Sequence, residues 1–371
     1  MARWKEPELV ALTARLVDIP SVSGAEGALA DFVVSELRPQ CPPCDLVRSG
    51  HNVILRGPSR PERPSVVLAG HLDTVPPAGN ERSRLKGDRL YGLGSTDMKA
   101  GLAIMLALAK SVDWVRARAN LTLVFYECEE IALEKNGLRK LFPEFPWLVQ
   151  QDLAILLEPT DNALELGCLG TLNARVTARG RAAHSARPWQ GENAIYKAVP
   201  FLARFASLAP RPVEVAGVTF QETFQITLAE GGRAKNVVPD RLALNVNFRF
   251  APTRTSAEAV AELRSMVPPG FDFEVVDVAP PGVVRADHPL VVDLLDRFRL
   301  DRRAKQAWTD VAQFAERGVA AVNFGPGVPA QAHQADEFVP VENLPRSYEV
   351  LFEFLSQAPE AARADDQGRT G

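Results

Sequence analysis

Long hydrophobic runs are missing from this 371-residue chain, and no segment approaches the ~20 consecutive apolar residues of a membrane-spanning helix. Met1 to Leu12 contains no apolar stretch of signal-peptide length, so a cytoplasmic protein is expected. Excess positive charge is missing too. Lys and Arg number 42 against 46 Asp and Glu, a net charge of -4, which speaks against nucleic-acid and polybasic membrane roles and favours a small-molecule partner. Cysteine is scarce, at four residues, and only Cys41-Pro-Pro-Cys44 has metal or redox spacing. With no second pair, that segment reads more simply as a surface loop, and disulfides are not expected. Cys128, after an apolar strand, reads as a buried thiol. No internal repeat is evident. The 46% of hydrophobic residues is ordinary for a globular chain, and the length suits about two domains at roughly 150 residues each.

The first half of the chain reads as α/β. Glu8 to Val17 and Gly27 to Leu37 have helical period, Asn52 to Leu55 and Val66 to Ala69 look like strands, and Met98 to Lys110 is an alanine-leucine helix after a Gly-rich turn. Leu121 to Tyr126 and Leu153 to Leu157 are apolar on both faces, as strands in the middle of a helix-covered sheet must be. Around Gly170 the pattern changes to period-two alternation: Leu172 to Ala178, Phe224 to Leu228, Leu242 to Phe248 and Phe271 to Val275. Helices are expected among them at about Asn193 to Leu208, with Pro200 as a kink, and at Ala257 to Met266, opened by the capping-box spacing Thr255-Ser256-Ala257-Glu258. Strand, helix, strand, strand, helix, strand is the split βαββαβ order of a ferredoxin-like domain. Beyond Pro280-Pro281 the α/β character returns, with helix Pro289 to Arg299, strand Val319 to Phe324 and helix Leu344 to Gln357. The expected fold is therefore α/β, with residues 1–170 and 281–371 forming one domain on a mixed, helix-flanked sheet and 171–280 inserted into it. The residues after Ala358 are polar and aperiodic and read as a frayed tail.

Apolar strands run directly into chemistry-bearing side chains at several points. Val66 to Ala69 leads to His71 and Asp73, Leu121 to Tyr126 leads to Glu129-Glu130, and Leu153 to Leu157 leads to Glu158. In an open α/β sheet the ligand crevice lies beyond the carboxyl ends of the strands, so these ends can converge. Carboxylates together with imidazole suit a zinc-class cation. His71-x-Asp73 alone also fits a structural histidine whose tautomer a carboxylate fixes. Asp97, just before a helix, alone also fits an N-cap. Two adjacent carboxylates at the rim of an apolar strand cost desolvation unless a cation neutralises them. Because neighbours point apart, one of Glu129 and Glu130 can bind the ion while the other acts as a base. His333, in a loop after a strand, is a second imidazole. His51 and His288 fall outside these patterns and read as surface residues.

The motifs His71-Leu72-Asp73, Gly94-Ser95-Thr96-Asp97-Met98-Lys99, Glu129-Glu130, Glu158-Pro159 and Ala332-His333 resemble, in order, those of the dinuclear zinc amidohydrolases. That family includes succinyl-diaminopimelate desuccinylase, acetylornithine deacetylase, aminoacylase and glutamate carboxypeptidase. The resemblance spans about residues 8 to 356 and includes the inserted domain. It implies two zinc ions per subunit, replaceable by cobalt, and a homodimer formed through the inserted domain. Asp97 would bridge the ions, with His71 and Glu158 completing one site and Glu130 and His333 the other. Glu129 would be the general base and Asp73 the orienter of His71. Glu127-Cys128-Glu129-Glu130 with Asn136-Gly137-Leu138, and Leu157-Glu158-Pro159-Thr160 with Gly167-Cys168-Leu169-Gly170-Thr171, look most like desuccinylases of actinobacterial type. Ile131-Ala132, where relatives often carry glycines, and Leu169, where a glutamine is common, depart from the pattern and bear on the substrate.

In the inserted domain, Arg181-Ala182-Ala183-His184-Ser185-Ala186 matches a segment whose histidine reaches the partner subunit's active site. Asn236 and Arg249 match positions that hold substrate carboxylate, and Arg187 and Arg233 are further candidates by proximity to those motifs. The implied activity is hydrolysis of an N-acyl amide, with N-succinyl-LL-2,6-diaminopimelate as substrate. Acetylornithine deacetylation, aminoacylase or dipeptidase action are the alternatives within the family. A non-catalytic binding protein on the same scaffold is the alternative from another class, against which the retention of every ligand and of Glu129 speaks.

Overall fold

The structure, a computed structural model, describes residues 3 to 356. Gln357 and the polar tail expected beyond Ala358 lie outside the described residues. The chain forms two compact units, the smaller comprising Gly167–Val284 with Ala304–Ala312 and the larger the remainder. The short Ala304–Ala312 segment lies outside the 171–280 span expected for the inserted domain.

The larger unit is built on a mixed sheet of eight strands. Its centre is four adjacent parallel strands in the order Asn120–Tyr126, Ser65–His71, Leu153–Leu156 and Ala320–Asn323. All four are apolar and almost wholly buried, as parallel strands covered on both faces must be. The hairpin Asp45–Ser49 and Asn52–Arg56 joins antiparallel on one side, and short strands Leu164–Leu166 and Arg302–Ala304 complete the other. Because the four central strands run the same way, their carboxyl ends open at one edge, where His71, Glu127 to Glu130, Glu158 and the loop leading to His333 begin.

Helix Ala100–Ser111 lies deeply buried, with every residue but Lys110 inaccessible. Glycine makes its close packing possible. A Cβ on Gly101 would stand 2.4 Å from the Leu157 carbonyl oxygen, and one on Gly70 would stand 2.6 Å from Met98 Cε. These two glycines let the helix start lie against the strand ends, which delivers Asp97 to the edge where the other ligands gather. A separate three-stranded sheet, Arg84–Lys86, Arg89–Tyr91 and Phe338–Pro340, ties the segment after His333 to the chain just before Gly92.

The smaller unit is an antiparallel five-stranded sheet in the order Arg211–Val215, Val218–Gly231, Arg241–Phe250, Gly170–Arg179, Asp272–Ala279. Helices Ala194–Ala206 and Ser256–Met266 cover one face, where Phe201, Phe205, Phe224, Val246 and Phe248 form the core. The capping box at Thr255 and Glu258 is present. The expected four-strand order is corrected to five. Arg211–Val215 is an edge strand whose Pro212 masks it in the sequence, and the left-handed Ala216-Gly217 turn pairs it with the next strand.

Candidate metal centre

His71 and Glu158 sit at or just past strand ends, Asp97 precedes a helix, and Glu130 and His333 lie in turns beyond strands. His71 closes its strand and is 1% exposed. Its Nε2 lies 3.1 Å from Asp97 Oδ1 and 4.0 Å from Glu158 Oε1. His333 Nε2 lies 3.6 Å from Asp97 Oδ2 and 3.0 Å from Glu130 Oε2. The two oxygens of Asp97 therefore face two separate donor sets, His71 with Glu158 and His333 with Glu130. Two metal bonds of ~2.1 Å meeting at the tetrahedral angle set their ligand atoms about 3.4 Å apart. Separations of 3.0 to 4.0 Å from each imidazole to its two carboxylates are of the size expected between ligands of one ion. One oxygen or nitrogen each from His71, Asp97 and Glu130 also lies within 4.8 Å of the others.

The electrostatics agree with a cation at this point. Burial works against charge on His71, but Asp73, Asp97, Glu158 and Glu129 outweigh it and hold the imidazole well above its ordinary range. His333 is raised to about 9, first by its hydrogen bond to Glu130 and against the opposing effect of burial. A metal ion would supply the positive charge that these carboxylates otherwise draw from protons.

Asp73 does more than the sequence implies. His71 Nδ1 lies 3.0 Å from the Asp73 backbone carbonyl and 3.5 Å from its carboxylate, so both groups of Asp73 face that nitrogen, the carbonyl being the nearer. The carboxylate accepts the backbone N–H groups of Glu129 at 2.9 Å and Glu130 at 3.0 Å, together with the Ser23 hydroxyl at 2.7 Å. It thus fixes the turn that carries both glutamates. Burial opposes ionisation of Asp73, but its bonds to His71, Ser23 and Glu129 prevail and hold it below its usual value.

Glu337 is a buried residue that no sequence motif singles out. Its carboxylate accepts the backbone N–H groups of Gly94, Thr96 and Asp97 at 2.8, 2.8 and 3.0 Å, clamping the loop that presents Asp97. Burial pushes its pKa up to about 7, against the pull of those same N–H groups. Lys99 anchors the loop from the other side, its Nζ donating to the Ile19 carbonyl at 2.8 Å. Nothing in the residue pattern distinguishes Glu337 from its acidic neighbour Asp336, because its partners are backbone groups.

The remaining candidates lie in the smaller unit. His184 pairs with Val237 in an isolated bridge, Ser185 N–H donates to the Asn236 carbonyl at 2.9 Å, and Arg187 N–H donates to the His184 carbonyl at 2.8 Å. His184, Arg187 and Asn236 are thus brought together. Arg233 lies on the same loop as Asn236 and makes an exposed ion pair with Asp240 at 3.9 Å. Arg249 is not brought to them. It pairs with Thr171, whereas Arg241, at the other end of the strand, pairs with Arg179 beside the His184 segment. The eight residue steps from Arg241 to Arg249 span about 26 Å at strand rise. Sequence motifs give no strand register, so this separation could not be read from them. Burial holds the Arg249 guanidinium below its ordinary value.

Comparison with known proteins accords with this geometry. The profile of peptidase family M20/M25/M40 matches residues 67–357. A Corynebacterium glutamicum succinyl-diaminopimelate desuccinylase is 40% identical over 357 residues, covering 94% of this chain and 96% of that protein. A Mycobacterium tuberculosis H37Rv protein, named as a candidate succinyl-diaminopimelate desuccinylase, is 42% identical over 349 residues, covering 93% and 97%. A Staphylococcus aureus tripeptidase structure matches with a TM-score of 0.79 at 21% identity over 96% of this chain and 99% of that one, a likeness of fold. The strand-end ligand geometry, the profile match and the near full-length relatives lead to one conclusion: the chain belongs to peptidase family M20/M25/M40.

Proposed function

We propose that this protein hydrolyses N-succinyl-LL-2,6-diaminopimelate to succinate and LL-2,6-diaminopimelate at a dinuclear zinc centre, in the cytoplasm. The observation that carries the reading is the division of Asp97: its two oxygens face separate imidazole and carboxylate pairs. His71, Asp97 and Glu158 would hold one ion, and His333, Asp97 and Glu130 the other. Zinc, when bound, lowers the pKa of water and polarises a carbonyl. Glu129, its backbone held by Asp73, takes a proton from the attacking water as the water oxygen bonds to the amide carbon. His184 donates to the developing oxyanion. As the C–N bond breaks, Glu129 returns the proton to the leaving nitrogen, giving a carboxylate and an amine.

The substrate assignment rests on the desuccinylase relatives and on the arginines, whose planar guanidinium groups suit a substrate with several carboxylates. It is tested by comparing turnover of N-succinyl-LL-diaminopimelate, N-acetylornithine, other acylated amino acids and dipeptides on zinc- and cobalt-loaded protein. The succinyl substrate should lead in kcat/KM by at least ~10²-fold, a lower bound, since a site built to hydrogen-bond a substrate group rejects an analogue lacking it by ~10⁴-fold or more. Preference for acetylornithine or a dipeptide would overturn the substrate and leave the metal centre standing.

A homodimer follows from the same reading. Arg249 and His184 stand at opposite ends of one sheet, too far apart to grip one small substrate from a single subunit. Helix Ala194–Ala206 turns Tyr196, Val199, Pro200 and Ala203 outward at helical spacing, with Tyr196 75% exposed. The half of strand Val218–Gly231 beyond Glu222 has no neighbour on one side among the described residues. A second copy meeting this edge and helix face would cover both. Inactive His184→Ala subunits mixed with inactive Glu129→Gln subunits should then regain activity, because one site in each mixed dimer holds both groups intact. Demonstrated subunit exchange with no recovery would confine His184 to its own chain or remove it from catalysis.

The clamp at Glu337 gives another expectation. Glu337→Ala strips three N–H groups of their acceptor and frees the Asp97 loop. Zinc affinity measured against a competing chelator should fall ~10- to 100-fold, the usual effect of losing a group that orients a ligand. Glu337→Gln, which keeps one acceptor oxygen, should lose less. Unchanged affinity in Glu337→Ala would show that the loop holds itself.

A further inference from the structure

A second group of side chains able to hold a metal includes Glu127, two residues before Glu129. A ring nitrogen of His51 and one carboxylate oxygen from each of Glu26 and Glu127 lie within 4.8 Å of one another. Three separate elements supply them. Glu26 caps helix Gly27–Leu37, His51 sits in the turn between Asp45–Ser49 and Asn52–Arg56, and Glu127 follows strand Asn120–Tyr126. Glu26 is wholly buried, and Glu127 is 7% exposed.

The polar bonding of this group is incomplete. Glu26 Oε1 accepts from the backbone of Gly24 at 2.8 Å, the backbone of Cys128 at 3.1 Å and the Cys128 thiol at 3.4 Å. Glu26 Oε2 and His51 Nδ1 are also buried, and neither finds a hydrogen-bond partner among the described residues. Glu127 accepts from the His51 backbone N–H at 3.1 Å and from Lys140 Nζ at 2.8 Å. That lysine pairs with Glu127, and its side chain is 49% exposed. A buried carboxylate oxygen and a buried imidazole nitrogen left unbonded are costly, and an ion bonding both removes the cost.

We propose that Glu26, His51 and Glu127 form a third divalent-cation site, of the zinc class, separate from the dinuclear centre. Two carboxylates and one imidazole supply three protein ligands, and water completes the coordination. The ion joins the capped helix, the hairpin and the turn, and so braces the backbone leading to Glu129, where Glu26 already holds the Cys128 N–H.

The test counts bound zinc after equilibrium dialysis, by elemental analysis of the full-length chain. His51→Ala should bind one equivalent fewer than the unmodified protein. In an Asp97→Ala background one equivalent should persist and then vanish on adding His51→Ala. With cobalt in place of zinc, the unmodified-minus-His51→Ala difference spectrum should contain visible d–d bands. Equal stoichiometry with and without His51, with superimposable circular dichroism, would overturn the proposal. Should His51→Ala misfold, Glu127→Gln, which keeps the shape and a hydrogen-bonding oxygen for Lys140, must show the same loss of one equivalent or the proposal fails. An Asp97→Ala protein that kept all its zinc would strike at the dinuclear reading alone, because the one-equivalent difference at His51 is read independently.

Discussion

Glu129→Gln is expected to keep its zinc and lose turnover by at least ~10²-fold, the contribution of a positioned general base. Asp73 accepts the N–H groups of Glu129 and Glu130 through different oxygens, which fixes both residues in the backbone while their side chains diverge. Glu130 goes to His333. The charge of Glu129 reaches the His71 imidazole, as a base beside the metal ligands requires. Glutamine preserves size and the backbone bond to Asp73 but cannot take a proton. Because the base acts only as the water attacks, the loss should fall on kcat, with KM and metal content nearly unchanged. Activity within a few-fold of the unmodified protein would assign proton transfer to another residue.

The site's ligands were legible because parallel central strands announce themselves as apolar runs, and a carboxylate or imidazole at the end of such a run is conspicuous. Asp97 was legible as an acidic residue opening the buried Ala100–Ser111 helix. The groups that position these ligands were not. Glu337 works through backbone N–H groups and leaves no trace in residue pattern. The Asp73 carbonyl, nearer His71 than its carboxylate, is invisible for the same reason. His51 read as a surface residue, yet its ring nitrogen is buried beside Glu26 because Gly27 admits the ring at close range. In the smaller unit alternation located the long strands, but Pro212 hid the edge strand. Arg249 and His184 are grouped by motif and parted by register.

Asp97→Ala carries the other large expected effect, because in the proposed centre one side chain would serve both ions. Its Oδ1 lies 3.1 Å from His71 Nε2 and its Oδ2 3.6 Å from His333 Nε2, so removing it takes a ligand from each set at once. It also leaves His71, Glu158, Glu130 and His333 without the group that sets their mutual spacing. Loss of one ion's ligand in a non-bridging variant such as Glu158→Ala should cost mainly that ion. The decisive measurement is therefore the zinc content of Asp97→Ala against the unmodified protein, by elemental analysis after dialysis against buffered free zinc, with circular dichroism to establish the fold. A bridging aspartate predicts a folded variant that has lost close to two equivalents, whereas a folded variant that loses one or none would contradict a dinuclear centre built on Asp97.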